Sequence, residues 1–381
     1  MIDVILVKSD PIIEQSSIRA EQITKSLLKK YSAISLGWNR GSAQIASQWK
    51  NSPDLQLFNL NAPYAFQQFG KVKLMICFPI FWVWVFAKLC KYRPPVVHAC
   101  DLSTVLPCYL YKLIFRRKLI FDILDRYGMT YVPKDKNFIF RVLYLLVNKV
   151  ESFYANKSDV LITVSDKILL TFKKKPKDCV TIMNCPSDTI PWVSRPDITG
   201  YRLLYTGAIR QGRGLEFLCD LLTDLKDTEL IVTGKVKDQE LMNKVERITN
   251  IKYHGFLDRD KLLDLECSCH VMVALYDSNL QSQYEYGMAN KILEAMMCGI
   301  AVITNISKDL VNETKCGIVV EYGNIHDIKK AIVKLKDNIQ LRKLYGANGR
   351  RAYLEKYNWG KMEERLYSVY DKLLNKYPRD E

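Results

Sequence analysis

Between Tyr286 and Thr304 the chain reads YGMANKILEAMMCGIAVIT, which sets a lysine and a glutamate three residues apart. Asn290 is a good helix cap and Gly299 a helix stop, so Lys291 and Glu294 are expected on one face of a short helix that runs into the apolar strand AVIT. A helix N-terminus favours an anion through its free N–H groups and its dipole, so a carboxylate there needs a reason, such as a pair of sugar hydroxyls to hold. A nucleoside diphosphate offers a phosphate to the lysine and a ribose to the glutamate. The plainer alternative is a surface helix whose Lys and Glu pair at i,i+3.

A second group lies in YTGAIRQGRG, residues 205–214. Gly207, Gly212 and Gly214 free the backbone to approach a ligand, while Arg210 and Arg213 supply guanidinium forks suited to phosphate oxygens. The glycine spacing imitates a P-loop, but Arg213 and Gly214 stand where Lys and Ser/Thr are needed. The hydroxyl for Mg²⁺ is missing, and NTP hydrolysis is not expected. Taken alone, a solvated turn with two arginines explains the loop equally well. His98, His254, His270 and His326 lie far apart without ligand spacing, so no metal site is expected.

The elements that must position these groups form two βα arrays. Apolar runs at 2–7, 33–37, 96–99, 118–122 and 159–164 alternate with helical patterns, and runs at 202–206, 229–233, 251–253, 271–275, 300–304 and 318–320 do the same. This implies an α/β protein with two doubly wound parallel sheets, whose ligands bind beyond the carboxyl ends of the strands. Pro186, Pro191 and Pro196 punctuate a stretch ending at Gly200 and mark a linker. The expected domains are 1–188 and 200–360, followed by a closing helix in 361–381.

Length and composition agree. A chain of 381 residues that is 48% hydrophobic and 25% charged is globular and long enough for two cores. Eleven cysteines, an odd total without a CxxC pair, argue for a reducing compartment. MIDVILVKSD reads as a buried strand, too short and acidic for a signal peptide, so a cytoplasmic location is expected.

The net charge of +15 is unevenly placed. Residues 1–190 hold 27 Lys and Arg against 14 Asp and Glu, or +13, whereas 191–381 hold 29 against 27, or +2. Either a solubilising surface or an acidic partner accounts for this. No aromatic-basic module of a nucleic-acid binder is present, so nucleic acid is not expected. Leu74–Ala87, LMICFPIFWVWVFA, favours an anionic membrane: it is shorter than the roughly 20 residues that span a bilayer, and it carries Trp82 and Trp84 between basic flanks. That composition suits a segment lying among headgroups, with a buried core helix as the alternative. KLIFRRKLIF (112–121) and KNFIFRVLYLLVNKVESFYANK (136–157) also interleave bulky apolar groups with Lys and Arg.

The stretch 286–304 resembles the C-terminal signature of the retaining glycosyltransferases of family four. The likeness continues in family order through SIRAEQITKSLLKKYSAISLGWNR (17–40), VVHACDLSTVLP (96–107), KSDVLITVSDKI (157–168), LLYTGAIRQGRGLEFL (203–218), LIVTGK (230–235), IKYHGFLDRDKLLDLECSCHVMVALY (251–276) and YNWGKMEERLYSVYDKLL (357–374). The resemblance implies a GT-B fold, two Rossmann-like domains facing across a cleft, the first binding the acceptor and the second the nucleotide sugar, with the final helix crossing back to the first. In the family a basic pair grips the donor pyrophosphate. Arg213 falls where Lys is usual and Ala208 where many members have Arg, with Arg210 expected to replace that charge.

By the same resemblance Glu294 accepts the ribose hydroxyls, and Gly207, Asn290 and Lys291 complete the donor side. Tyr286 stands where the family places an acidic contact to the donor sugar. On the acceptor side the matching positions are Arg19 and His98. Asp101 and Asp122, with Asp125, match acidic positions, and the first two join Arg210 and Arg213 as catalytic candidates; histidines usual at Cys100 and Leu124 are absent. The implied activity is metal-independent hexosyl transfer from a UDP- or GDP-sugar to a lipid-linked or surface-polysaccharide precursor at the cytoplasmic face of a membrane, with no cofactor beyond the donor. The alternatives are a nucleotide-sugar epimerase of the same fold, and a basic lipid- or nucleic-acid-binding protein without catalysis.

Overall fold

The computed structural model describes residues 2–10, 18–39, 55–61, 71–133, 135–188, 200–277 and 290–375. The chain divides into two compact units, Met1–Asn184 with Met362–Glu381, and Cys185–Lys361.

In the first unit the strands are β1 (Val4–Val7), β2 (Ala33–Asn39), β3 (Leu55–Asn61), β4 (Val96–Cys100), β5 (Lys118–Ile123), β6 (Val160–Thr163) and β7 (Asp178–Thr181). They form one parallel sheet in the order β3-β2-β1-β4-β5-β6-β7. VILV and VVHAC are buried at every residue, which is why these strands read as continuous apolar runs. The sheet is longer than the sequence pattern implied. LQLFNLN and DCVT make its two edge strands, where polar residues are tolerated. Chain order reverses between β1 and β4, so their carboxyl ends form the switch point.

The helices of this unit are α1 (Ile18–Lys30), α2 (Lys71–Tyr92), α3 (Leu102–Phe115), α4 (Tyr127–Tyr131), α5 (Phe138–Lys157) and α6 (Asp166–Leu170). The Trp-bearing segment expected among headgroups lies inside α2. Phe81, Val85 and Leu89, spaced four apart, are fully buried. Phe81 stacks on Trp38 with centroids 5.1 Å apart, and the Trp82 indole N–H donates to the Ser103 carbonyl at 2.7 Å. One side of this segment thus packs inward, while Ile80 and Val83 are 64% and 70% exposed. Among the described residues no helix is long and apolar enough to cross a membrane.

The second unit repeats the plan with β8 (Tyr201–Thr206), β9 (Thr228–Thr233), β10 (Ile251–Tyr253), β11 (Val271–Ala274), β12 (Ala301–Thr304) and β13 (Gly317–Val319). All pair in parallel in the order β10-β9-β8-β11-β12-β13, on the six runs read from the sequence. Its switch point falls between β8 and β11. Its helices are α7 (Leu215–Asp224), α8 (Gln239–Glu246), α9 (Arg259–Cys267), α10 (Asn290–Cys298), α11 (Lys308–Thr314), α12 (Ile325–Asp337) and α13 (Ile339–Glu355).

The last helix, α14 (Trp359–Leu374), joins the first unit from Met362 onward. Glu363 accepts from Ser26 at 2.6 Å and Lys29 at 2.8 Å, and Asp371 from Lys30 at 2.6 Å and the Tyr31 hydroxyl at 2.8 Å. Tyr370 reaches the interior, its hydroxyl 2.6 Å from His98 Nδ1.

Candidate functional site

The switch point of the second sheet gathers the basic groups. Gly207 follows β8 with φ at 129°, a conformation that glycine takes without strain. A Cβ added there would lie 3.0 Å from Lys291 Nζ and 3.7 Å from an Arg213 Nη, so the glycine backbone, the ammonium and the guanidinium line one small space. Lys291 donates to the Thr206 carbonyl at the end of the same strand. Tyr276, just past β11, lies beneath both cations, with Arg213 Cζ 5.0 Å and Lys291 Nζ 5.1 Å from its ring centroid. Asn305 holds Tyr276 in place by accepting from its N–H and donating to its carbonyl, both at 2.8 Å.

The glycine loop is itself fixed. The Tyr205 hydroxyl donates to the Ala208 carbonyl at 2.8 Å, the Gly212 N–H donates to Glu216 at 3.1 Å, and Gly212 returns its carbonyl to the Asp277 N–H at 3.0 Å. Gly234, after β9, packs so closely that a Cβ on it would fall 1.7 Å from the Gly207 carbonyl oxygen. Arg210 is half-buried with its Nε unpartnered.

Asn290 opens α10, and Lys291 and Glu294 follow one turn apart as their spacing implied. They do not pair with each other: Lys291 bonds the Thr206 carbonyl, and Glu294 lies within the field of Arg259 as well. Burial raises the Glu294 carboxyl above its usual range, with Arg259 and Lys291 pulling the other way. Behind it Glu266 is almost fully buried; burial first, then the Glu294 charge, push its carboxyl well up. Tyr286 lies outside the described residues.

The first-unit candidates separate into two sets. Asp101 follows β4 at that sheet's switch point, ion-paired with Lys8 just past β1 and accepting from the Leu124 N–H at 3.3 Å. Its φ of 69° and ψ of 165° are strained for a residue with a Cβ, and such strain collects at functional sites. Asp125 is close enough to feel it: burial, then the Asp101 charge, raise its carboxyl. Arg19, His98 and Asp122, expected on the acceptor side and in catalysis, form the other set, and they are bonded to one another. Arg19 donates to both Asp122 oxygens at 2.9 Å and to the Ile182 carbonyl at 2.7 Å; His98 Nε2 lies 3.3 Å from Asp122. Asp122 and His98 are wholly buried and Arg19 nearly so. Burial alone would raise the Asp122 carboxyl, but Arg19 and then His98 outweigh it and hold it at about 2. These three side chains bind one another and the chain, which makes them a polar keystone of the unit. His98, Cys100 and Asp122 bring ligand-type atoms within 4.8 Å of one another, but the Arg19 guanidinium already supplies the cation there.

Sequence reasoning did not single out Tyr276, Arg259, Glu266 or Lys8. Lys8 directly follows β1 and Tyr276 stands two residues past β11, positions at strand carboxyl ends that could have flagged both.

Two doubly wound parallel sheets, the second gathering basic groups at its switch point, are the architecture of the GT-B fold. Sucrose-phosphate synthase from Thermosynechococcus elongatus is similar with a TM-score of 0.76 at 16% identity, covering 99% of this chain and 100% of that one. HepE of Anabaena, in complex with UDP, gives 0.73 at 13% over 97% and 100%. Residues 200–338 match the family Glycosyl transferases group 1. An uncharacterised glycosyltransferase of Methanocaldococcus jannaschii is 24% identical over 295 residues, 72% of this chain and 73% of that protein. Over the second unit the chain is thus similar to the group 1 glycosyl transferases.

Proposed function

We propose that the protein is a retaining, metal-independent transferase that moves a hexose from a UDP- or GDP-sugar to a lipid-linked or surface-polysaccharide precursor. The observation that carries this reading is the space shared by the Gly207 backbone, Arg213 and Lys291, with Glu294 one turn further along the same helix. A departing nucleoside diphosphate gathers negative charge on its phosphate oxygens, and fixed cations aimed at that charge are the largest help a protein gives. Two cations held beside a glycine backbone that admits close approach fit that need, and Arg210 adds a third nearby in sequence. Glu294 fits the ribose hydroxyls as an acceptor. The UDP complex of HepE, and its complex with UDP-glucose, agree with a uridine donor.

A thermal-shift screen against UDP, GDP and their sugars tests the reading, since a ligand at 100 times its Kd adds about 2.7 kcal/mol to the native state. One nucleotide series should raise Tm and the others should not. Absence of any shift with every nucleotide would rule the donor site out.

A further inference from the structure

In α5 the usual arrangement of a surface helix is reversed. Its inward side carries Glu151, fully buried, ion-paired with Arg126 and accepting from the Tyr127 N–H at 3.1 Å. Its outward side carries Ile139, Val142, Leu146, Val150 and Phe153, spaced three or four apart and therefore one stripe. Ile139 is 74% exposed, Leu146 54% and Val150 45%. The stripe continues onto α3, whose Tyr109 ring lies 5.8 Å from that of Phe153 and whose Leu113 and Ile114 are 55% and 62% exposed.

A contiguous apolar face of this kind on a soluble fold marks an interaction surface. Its chemistry selects the partner. From Leu102 to Lys157 the sequence holds ten Lys and Arg against four Asp and Glu, and two of those acids, Asp122 and Glu151, are buried against arginines. On α5 the exposed charges are Arg141, Lys149 and Lys157, all positive, and Lys136 and Arg116 flank the face. Protein interfaces are depleted in lysine, whereas aliphatic side chains between lysines and arginines match the boundary between acyl chains and anionic headgroups. Long basic side chains there reach up to the headgroups while the aliphatic ones enter below them.

We infer that the outward face of α5, continued by the end of α3, is a docking surface for an anionic lipid bilayer, on which the helix lies in the plane of the interface. The surface is independent of the donor site and deepens the reading of a lipid-linked acceptor.

Co-sedimentation of the full chain with vesicles tests it, using phosphatidylcholine alone and a mixture in which about a third of the lipid is phosphatidylglycerol. Wild type should pellet with the anionic vesicles and be released by salt. The double variant Leu146→Glu/Val150→Glu should bind at least about tenfold more weakly, since it removes two apolar groups and adds two negative charges. Arg141→Ala/Lys149→Ala, which leaves the apolar stripe intact, should also weaken binding and flatten its salt dependence. Each variant should keep the wild-type circular dichroism spectrum and UDP affinity, so that loss of vesicle binding is separated from misfolding and from failure of the donor site. Equal binding to neutral vesicles, no binding at low salt, or binding unchanged in folded variants overturns the inference. So does a concentration-dependent dimer abolished by the same substitutions, which would make the face a contact between copies.

Discussion

Arg213 and Lys291 lie over the same Tyr276 ring, their cationic centres 5.0 and 5.1 Å from its centroid. Two like charges are brought together there by elements distant in sequence, the glycine loop after β8 and the start of α10. The electron-rich ring face and the Thr206 carbonyl offset part of their repulsion, and a bound diphosphate would offset the rest. Arg213→Ala and Lys291→Ala should therefore each weaken UDP binding by at least about tenfold, the scale of a charge-assisted hydrogen bond, with Tm little changed. Turnover should fall further than affinity, because the charge acts on the leaving group. Calorimetric titration and donor-turnover assays on the two variants check this; wild-type affinity in both would remove the phosphate role.

Glu294 gives the proposed donor site a pH dependence. Burial raises its carboxyl above the ordinary range, more than Arg259 and Lys291 lower it. The ionised form offers both oxygens as charged acceptors to the two ribose hydroxyls, so nucleotide affinity should be full well above that raised pKa and fall as pH drops through it, before ordinary surface carboxylates titrate. Glu294→Gln should bind more weakly at neutral pH and lose that dependence. A wild-type affinity that stays flat with pH down to the ordinary carboxylate range would count against the ribose contact.

The Arg19–Asp122–His98 network predicts a stability effect without a direct catalytic one. The Asp122 carboxyl is held at about 2 against an ordinary 3.8. Its folded pKa is the depressed one, so its contribution is present above 3.8 and lost as pH falls through about 2. Asp122→Asn leaves the buried Arg19 charge uncompensated and should cost about 3–5 kcal/mol at neutral pH. The gap from wild type should narrow as pH falls from about 4 towards 2. Urea titrations at several pH values read this directly, and a constant gap across that range would contradict it.

The second unit was largely legible because its signals are local. Each strand is a continuous apolar run, and the glycine loop and the α10 signature keep their chemistry within a dozen or so residues of sequence. What local pattern does not carry is which loops become neighbours: Tyr276 enters the site because β11 pairs with β8 across the switch point. In the first unit polar residues were harder to place. Arg19 and Asp122 stand 103 residues apart, and either could face solvent or core until their pairing is seen. Apolar residues were ambiguous in the same way. In α2 the Trp82 indole is tied to Ser103 while Ile80 and Val83 stay exposed, and the less conspicuous α5 leaves a longer apolar stripe in solvent.

Gly234 links the two glycine turns of the proposed donor site. Its φ of 145° is unfavourable for any residue with a Cβ, and an alanine methyl would fall 1.7 Å from the Gly207 carbonyl oxygen. That oxygen is backbone and cannot rotate away, so the turn after β8 must shift, and with it the Gly207 surface facing Lys291 and Arg213. Gly234→Ala should therefore destabilise the protein by about 2 kcal/mol or more and weaken UDP binding in the molecules that remain folded. Gly323, with φ of 83° but no atom within 4 Å of an added Cβ, supplies the control. Gly323→Ala carries the backbone strain without the collision, and it should lose stability modestly and keep its nucleotide affinity. Equal nucleotide affinity in the two variants would mean that the close approach of Gly234 to Gly207 does not shape the phosphate site.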